Sequence, residues 1–368
     1  MNIKIPLQDP SFQRPAARPL SFLPVPVAIN RNVRRAFNRS PVSHRDAEFE
    51  RAFADTRSML RQLTGAGDVE LFVGSGTLAN DMVAAQLSLL GTRGLILANG
   101  EFGQRLIDHG VRHGLQFDTF TAPPGTDFDY AALDAKLSCG TICWVWAVHC
   151  ETFTGTLVSL DILAAICRKR NARLCLDCIS SVGVVPVRLD SVFLATAVSG
   201  KGLGAYPGIS MVFYNHQPAP DTRLPRYLDL GHYRAKGGVP FTHSSNLIAA
   251  LQAALADLLT TPKFERVLKE SHWLRQELEQ LGIRVVSPAA HSSPAVLTFA
   301  LPPAVSSVTL GKELEEHGYL LSYASELLVR ENSLRICLMG ATGRREHRRL
   351  LQCLAALYRR LSRSAGEA

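Results

Sequence analysis

The sequence predicts an α/β protein, with a large domain built on a mostly parallel sheet and a smaller α+β domain at the C-terminus. Three observations lead to this prediction. Apolar runs of strand length alternate with segments of helical periodicity from about residue 46 to residue 214, which indicates a sheet covered by helices. A proline-rich stretch at residues 217–225 interrupts this alternation. Beyond residue 262, helices and short strands follow in mixed order, as expected for a compact α+β unit.

The first part of the chain begins with an expected N-terminal arm over residues 1–20, where prolines are scattered and no periodicity is visible. Residues 21–262 are predicted to form the large domain. Its predicted elements are a helix over 48–63, a strand over 69–73, a helix over 78–90, a strand over 94–98, a helix over 102–113, a strand over 141–147, a helix over 160–170, strands over 173–177, 194–199 and 209–214, and a helix over 247–259. In an open sheet of this kind we expect the ligand at the carboxyl ends of the strands.

Residues 263–368 are predicted to form the small domain. Its predicted elements are a helix over 264–281, strands over 284–286 and 295–300, a helix over 308–317, a strand over 333–338 and a terminal helix. In the terminal helix, arginines alternate with leucines at helical spacing. This pattern indicates an amphipathic helix whose basic face is solvated.

Composition and charge exclude several classes of protein. Hydrophobic residues make up 46% of the 368 residues, but no apolar run reaches the roughly 18 to 20 residues that span a bilayer, so we expect no membrane segment. The net charge of +8 comes largely from the C-terminal arginines, without the interleaving typical of nucleic-acid binding. The eight cysteines lack a regular spacing, which favours free thiols and no metal site. The N-terminus has no signal-peptide pattern, so we expect a cytoplasmic protein.

The most informative residue is Lys201, which lies in a glycine-rich segment directly after the apolar run 192–198. An ammonium group is costly to bury and glycines give it no packing surface, so a reactive amine is a better interpretation than a structural one. Asp177 closes another apolar run 24 positions earlier (201 − 177). An amine and an acid at the ends of neighbouring strands suit pyridoxal phosphate: the amine forms a Schiff base and the carboxylate faces the pyridine nitrogen.

A second candidate site lies at the turn from the predicted strand 69–73 into the following helix. Ser75, Gly76 and Thr77 offer free amides, hydroxyls and the positive end of the helix dipole, a combination that suits a phosphate group. An ordinary N-cap explains the same residues equally well. The glycine-rich stretch 200–208 is followed by a strand-like run rather than a helix, which is not the pattern of a dinucleotide fingerprint.

Taken together, these motifs give the chain a family resemblance. Over nearly all of residues 22–345 it resembles the class V aminotransferases, pyridoxal phosphate enzymes of fold type I that include alanine-glyoxylate, serine-glyoxylate and 2-aminoethylphosphonate-pyruvate aminotransferases. The segments that carry the resemblance are residues 41–45 with 48–49, 74–77, 99–103, 151–155, 177–181, Lys201, 241–242 and 334–336.

The resemblance implies roles for residues around the cofactor. Ser75, Gly76 and Thr77 would hold the cofactor phosphate. Phe102 would stack on one face of the pyridine ring and Ile179 would pack on the other, as an aromatic and a branched side chain can hold a flat ring in plane.

The resemblance also implies the chemistry. Asp177 would keep the ring nitrogen protonated, and Lys201 would bind the cofactor and later move a proton as a base. Thr152 would form a hydrogen bond near the cofactor. Thr242 would contact the phosphate in the neighbouring subunit, which implies a homodimer with shared active sites. Arg335 would clamp the substrate carboxylate with its planar, two-pronged donor.

Two positions differ from the family pattern. Family members commonly carry glutamine or asparagine just before the lysine, where this chain has Gly200. The N-terminal signature usually places glycine between two prolines, where this chain has Val25. We expect the first difference to affect cofactor binding and the second to affect the choice of substrate.

The leading functional hypothesis is transfer of an amino group from a small amino donor to a 2-oxo acid such as pyruvate or glyoxylate. One alternative is a lyase or a desulfurase-type elimination on the same fold. That chemistry needs a mobile catalytic cysteine, whereas Cys337 lies in an apolar strand close to Arg335. The other alternative is a pyridoxal phosphate-binding protein without catalysis, and the presence of Lys201, Asp177 and Arg335 argues against it.

Overall fold

The computed structural model describes residues 19–366, so most of the predicted arm lies outside the described residues. The N-terminal elements are β1 (Leu20–Ser21), α1 (Arg31–Phe37), α2 (Ala47–Thr64), β2 (Asp68–Val73), α3 (Gly76–Ser88), β3 (Gly94–Ala98), α4 (Glu101–Arg112), β4 (Phe117–Thr121), α5 (Tyr130–Leu137), β5 (Trp144–Val148), β6 (Cys150–Glu151), β7 (Thr156–Leu157), α6 (Leu160–Lys169), β8 (Arg173–Asp177), β9 (Leu194–Val198), β10 (Ile209–Tyr214), α7 (Leu230–Ala235) and α8 (Ser245–Thr260). The later elements are α9 (Lys263–Gln280), β11 (Arg284–Val285), β12 (Val296–Ala300), α10 (Ser307–Glu316), β13 (Tyr319–Leu320), α11 (Glu326–Arg330), β14 (Ser333–Cys337) and α12 (Arg344–Gly366).

The main sheet has seven strands in the order β2-β10-β9-β8-β5-β3-β4. Strand β10 runs antiparallel to both of its neighbours, and the remaining neighbours pair in parallel. The prediction of a mostly parallel sheet is therefore confirmed. Its register places Asp177, the last residue of β8, opposite Val148 on β5 and Thr196 on β9.

The central strands are buried on both faces, which explains their continuous apolar sequences. In β5, Trp144 and Trp146 enter the core on one side of the sheet, whereas Val145 and Ala147 enter the core on the other. Successive side chains of a strand point to opposite faces. The sheet is therefore a rigid platform whose strand ends can hold a ligand.

A second core lies in the C-terminal part of the chain. Strands β11, β12 and β14 form an antiparallel sheet, and its apolar face packs with residues of α9, α10 and α12. Phe22 and Val27 also belong to this core, and β1 pairs with β13 in parallel. Helix α9 begins at Lys263, and the division of the chain at residue 262 stays a prediction.

Two local differences from the sequence-based expectations concern the sheet. The strand predicted over 141–147 runs over Trp144–Val148. The residue before it, Cys143, donates its amide to the Arg93 carbonyl, a bond that lies outside the strand pairing of β5 with β3. Strand β4 was not predicted, and it forms one edge of the sheet beside β3. Among the helices of residues 19–366, none combines the length and the apolar content needed to cross a bilayer.

Candidate active site

A cavity of about 210 Å³ lies at the carboxyl ends of β8 and β9, in front of the N-terminus of α3. Eight of the ten residues expected at the site line it: Ser75, Gly76, Thr77, Phe102, Thr152, Asp177, Ile179 and Lys201. It is also lined by Val25, Asn80, Cys150 and Ser180. The structure therefore brings together residues from distant parts of the chain, whereas Thr242 and Arg335 lie outside this lining.

Asp177 is a buried carboxylate with both oxygens engaged. Its Oδ1 accepts a hydrogen bond from the Ile179 amide at 2.9 Å, and its Oδ2 accepts one from Asn80 Nδ2 at 2.9 Å. Asn80 is held in turn by Thr196, whose hydroxyl donates to Asn80 Oδ1 at 3.0 Å. Burial raises the pKa of Asp177, while the bonds from Asn80 and Ile179 act in the opposite direction. The result is a carboxylate fixed in one orientation at the cavity.

Lys201 is 9% exposed and follows β9. Its Nζ donates to Ser180 Oγ at 2.9 Å, and Ser180 Oγ lies 2.5 Å from Thr152 Oγ1. Burial lowers the pKa of the Lys201 ammonium, and the Asp177 carboxylate partly offsets this effect. A larger share of the amine is therefore neutral at a given pH than for an exposed lysine, and the neutral amine is the nucleophilic form.

The N-terminus of α3 opens onto the cavity. Ser75 is the N-cap residue, but its side chain makes no capping hydrogen bond, so its hydroxyl does not serve as an ordinary cap. Instead, the Ser75 carbonyl accepts a bond from Ser210 Oγ at 2.6 Å, which fixes the turn. A Cβ on Gly76 would lie 2.5 Å from Ile179 Cδ1, so a larger residue there would displace the Ile179 side chain. Free amides at a helix N-terminus, with an uncommitted hydroxyl, suit an anion.

Phe102 and Ile179 are half-buried residues of the cavity lining. Phe102 belongs to the first turn of α4. Its ring centroid lies 5.2 Å from Lys201 Nζ and 4.7 Å from Arg105 Cζ. The ring therefore lies beside the Lys201 amine.

Arg335 lies on β14, opposite Thr298. The residue is 7% exposed, and its Cζ lies 5.5 Å from the ring centroid of Phe153. No residue that the structure describes forms a hydrogen bond with its buried Nε. The positive charge of Arg335 also contributes to lowering the pKa of Lys201. A buried guanidinium with an unused donor is costly unless an anion occupies the space beside it.

Thr242 is exposed and lies outside the cavity, two residues before the N-cap of α8. It borders a small hollow together with Val73 and Phe241. Its expected contact with a neighbouring subunit stays a prediction.

Sequence reasoning missed Asn80 and Ser180, which connect to the two predicted reactive groups. The available signal was a polar residue within the apolar helix segment 78–85 for Asn80, and a hydroxyl next to Ile179 for Ser180. The structure also gives a packing reason for Gly200. A Cβ at this position would lie 2.7 Å from Pro207 Cα, so the segment as folded has no room for the larger residue of the family pattern.

Comparison with known proteins gives consistent matches over most of the chain. The profile of the family "Aminotransferase class-V" matches residues 28–321. A 2-aminoethylphosphonate–pyruvate transaminase of Burkholderia thailandensis is 28% identical over 366 residues, covering 94% of this chain and 98% of the relative. The soluble hydrogenase 42 kDa subunit of Anabaena cylindrica is 27% identical over 357 residues, which is 91% of each chain.

Solved structures agree with this assignment. The alanine–glyoxylate aminotransferase of a Nostoc species has a TM-score of 0.85 and 28% identity, covering 95% of this chain and 97% of that one. The pyridoxamine-pyruvate aminotransferase of Mesorhizobium loti has a TM-score of 0.86 at 20% identity, covering 96% and 94%, and supports the fold. The predicted fold type I architecture is thus confirmed. Because the family profile spans most of the chain, the chain belongs to the class V aminotransferases, which are pyridoxal phosphate-dependent enzymes.

Proposed function

We propose that this aminotransferase transfers an amino group from a small amino donor to a 2-oxo acid such as pyruvate or glyoxylate. The observation that carries the proposal is the placement of Lys201 and Asp177, both buried, in one cavity in front of the α3 N-terminus. The names of the Burkholderia and Nostoc relatives support the choice of acceptor, since one acts with pyruvate and the other with glyoxylate.

The residues of the cavity fit pyridoxal phosphate. A phosphate group finds free amides and an uncommitted Ser75 hydroxyl at the α3 N-terminus. Gly76 has no side chain that could cover these amides, and a Cβ at this position would meet Ile179 Cδ1. Asp177 supplies a buried, oriented carboxylate for a pyridinium nitrogen, and Lys201 supplies an amine for the aldehyde.

When bound, pyridoxal phosphate supplies an aldehyde carbon that takes up an amino group and a ring that accepts electrons as the substrate loses its α proton. Asp177 holds a proton on the ring nitrogen, because a buried carboxylate with fixed oxygens favours a protonated partner. Asn80 and the Ile179 amide keep the carboxylate in that position.

When the cofactor is bound, Lys201 would serve as the base that takes a proton from the substrate α carbon, and it would hold that proton on Nζ for return within the same half-reaction. Its lowered pKa leaves the amine able to accept that proton. The hydroxyls of Ser180 and Thr152 hold Nζ at the cavity between these transfers. The Phe102 ring, whose centroid lies 5.2 Å from Nζ, forms the wall of the cavity beside the amine.

Arg335 binds the substrate carboxylate. The guanidinium offers two parallel donors that match a carboxylate, and its Nε has no partner among the described residues. Both a 2-oxo acid and its amino product carry this carboxylate, so one arginine serves both half-reactions.

We also propose that the enzyme is a cytoplasmic homodimer in which Thr242 contacts the cofactor phosphate of the other subunit. The exposure of Thr242 outside its own cavity is compatible with this role. Analytical ultracentrifugation tests the dimer. A Thr242→Ala variant should remain dimeric and bind the cofactor more weakly, and a monomeric, fully active wild-type enzyme would contradict the proposal.

The elimination alternative receives no support from the thiols near the site. Cys337 is 2% exposed on β14, and burial raises its pKa to about 11. Cys150 lines the cavity, but burial raises its pKa to about 12. A catalytic thiol must ionise and move, and neither of these residues can do so in a packed strand.

The decisive experiment is a panel of amino donors and 2-oxo acids incubated with the purified enzyme. Formation of a new amino acid from pyruvate or glyoxylate supports the proposal, whereas release of ammonia or sulfide without amino acid formation contradicts it. Lys201→Ala is the matched inactive variant. It should lose transfer and the absorbance change that an amino donor produces, and an unchanged variant would show that Lys201 is not the reactive amine.

A further inference from the structure

We propose that Glu151 is a positioning residue whose buried carboxylate fixes two parts of the active site at once, the Phe102 wall and the Phe153 segment beside Arg335. This inference rests on the proposed function, because it assigns Glu151 to the binding of cofactor and substrate carboxylate. Glu151 itself does not line the cavity, so it acts through the residues that it holds.

The carboxylate of Glu151 accepts hydrogen bonds from two separate segments. Its Oε2 accepts from the Phe102 amide at 2.8 Å and from the Gly103 amide at 3.3 Å. Its Oε1 accepts from the Phe153 amide at 3.1 Å. The residue is 0% exposed. One carboxylate therefore ties the first turn of α4 to the turn between β6 and β7.

The backbone is built to admit this carboxylate. A Cβ on Gly100 would lie 2.5 Å from Glu151 Cγ, 2.6 Å from Cδ and 2.7 Å from Oε2. The φ angle of Gly100 is 172°, which any residue adopts, so conformational freedom does not explain the glycine. The approach of Glu151 to the helix end requires a residue without a side chain at position 100.

Two opposing effects act on the protonation of Glu151 at this place. The carboxylate sits at the positive end of the α4 dipole. Burial raises its pKa, and the three amide donors act against that rise. A carboxylate has acceptor capacity for all three donors, whereas an uncharged amide side chain has one acceptor oxygen.

The two segments that Glu151 holds carry rings beside the charged groups of the site. The Phe102 ring lies 5.2 Å from Lys201 Nζ, and the Phe153 ring lies 5.5 Å from Arg335 Cζ. Loss of the carboxylate therefore removes the hydrogen bonds that hold the Phe102 backbone, beside Lys201, and the Phe153 backbone, beside Arg335. A simple helix cap would affect only the α4 side.

Glu101 provides a matched control. It lies in the same first turn of α4, carries the same charge and is 33% exposed in its side chain. Its carboxylate pairs with Arg105 rather than with the amides of the site. Glu101→Gln thus removes one negative charge from the same helix end without touching the contacts of Glu151.

The test compares Glu151→Gln and Glu101→Gln with the wild-type enzyme. We expect Glu151→Gln to weaken pyridoxal phosphate binding and to raise the KM for pyruvate, each by about tenfold, with a smaller change in kcat. Glu101→Gln should stay within twofold of wild type in both quantities. Equal losses in the two variants, or wild-type binding and KM in Glu151→Gln, would overturn the proposal.

A second readout does not depend on transaminase activity. Hydrogen exchange of the cofactor-free protein should accelerate in peptides covering residues 100–106 and 151–155 of Glu151→Gln, and not in Glu101→Gln. If no oxo acid is a substrate but both peptides exchange faster, the positioning role holds while the proposed function fails. Acceleration limited to residues 100–106 would reduce Glu151 to a helix cap and overturn the proposal.

Gly100→Ala keeps the inference testable if Glu151→Gln does not fold. Its methyl group would displace the carboxylate without removing the charge. It should reproduce the faster exchange in both peptides and the weaker cofactor binding. Gly343→Ala is the control, because its Cβ meets only Glu346 Oε2 at 3.5 Å. Wild-type exchange and cofactor binding in Gly100→Ala would contradict the proposal.

Discussion

Removal of the Asn80 side chain should weaken cofactor binding through Asp177, although Asn80 carries no charge. In Asn80→Ala, the Asp177 carboxylate loses the bond to Oδ2 and keeps only the Ile179 amide. A hydrogen bond to a charged group contributes about 1.5 to 3 kcal/mol. Loss of this bond should therefore raise the pKa of Asp177 further, because the bond favours the ionised form.

The protonation state of Asp177 determines how strongly the substitution affects the binding of pyridoxal phosphate. Burial already raises the pKa of Asp177 in the protein without cofactor, so a further rise increases the protonated share of the acid at a given pH. Pairing with the ring nitrogen then requires that the acid first ionise. The dissociation constant of pyridoxal phosphate should increase by about 10- to 100-fold at pH 7. The difference in affinity between Asn80→Ala and the wild-type enzyme should become smaller as the pH rises, because Asp177 is then already ionised before the cofactor binds.

The assay is a titration of the cofactor-free enzyme with pyridoxal phosphate at several pH values, followed by the absorbance of the bound cofactor. Thr196→Val is the control, because it removes the bond to Asn80 Oδ1 but leaves the Asn80 bond to Asp177 in place. It should show a smaller loss. A dissociation constant within twofold of wild type in a folded Asn80→Ala protein, or a loss that is the same at every pH, would refute the reasoning.

Three further predictions test other parts of the structure. Arg335→Lys should raise the KM for pyruvate by about tenfold with a smaller effect on kcat, since an ammonium lacks the two-pronged donor of a guanidinium. Steady-state kinetics measure both constants, and an unchanged KM would argue that Arg335 does not bind the substrate carboxylate. Burial raises the pKa of Glu70 to about 7 from 4.5, so folding favours the protonated acid, and its stabilising contribution is lost as the pH rises through 7. Relative to wild type, the free energy of unfolding of Glu70→Gln should therefore increase by about 3 kcal/mol from pH 4 to pH 9, measured by urea denaturation, and a pH-independent difference would contradict this pKa. Gly200→Ala should destabilise the fold by about 1 to 3 kcal/mol, because its Cβ meets Pro207; thermal unfolding checks this, and an unchanged Tm would show that the segment relaxes.

The sequence predicted the central strands well because burial on both faces leaves a continuous apolar run. The strands at Gly94–Ala98, Arg173–Asp177 and Ile209–Tyr214 have the predicted bounds. Strand Phe117–Thr121 was not predicted because it is an edge strand, and its threonines and aspartate are only partly buried or exposed. An edge strand pairs on one side only, so its composition resembles that of a loop.

Asp177 and Lys201 stood out in the sequence because Asp177 ends a buried strand and Lys201 closely follows another, where a polar residue has few other reasons to occur. Asn80, Ser180 and Glu151 were not assigned roles, because their meaning depends on partners far away in sequence. Asn80 contacts Asp177 across 97 positions, and Glu151 contacts Phe102 across 49. A buried polar residue in a helix or at a strand end indicates that a partner exists, but only the fold identifies it.

The glycines around Lys201 explain how the fold buries this amine in a closely packed segment. A Cβ on Gly202 would lie 2.4 Å from the Val182 carbonyl oxygen, and one on Gly200 would meet the Pro207 backbone. Ser199 Oγ donates to the Tyr206 carbonyl at 2.6 Å, which closes the segment from the other side. These contacts require close backbone approach rather than flexibility. The absence of the family's amide side chain at position 200 therefore follows from the way this segment packs, and we expect cofactor phosphate binding to depend more heavily on the α3 N-terminus.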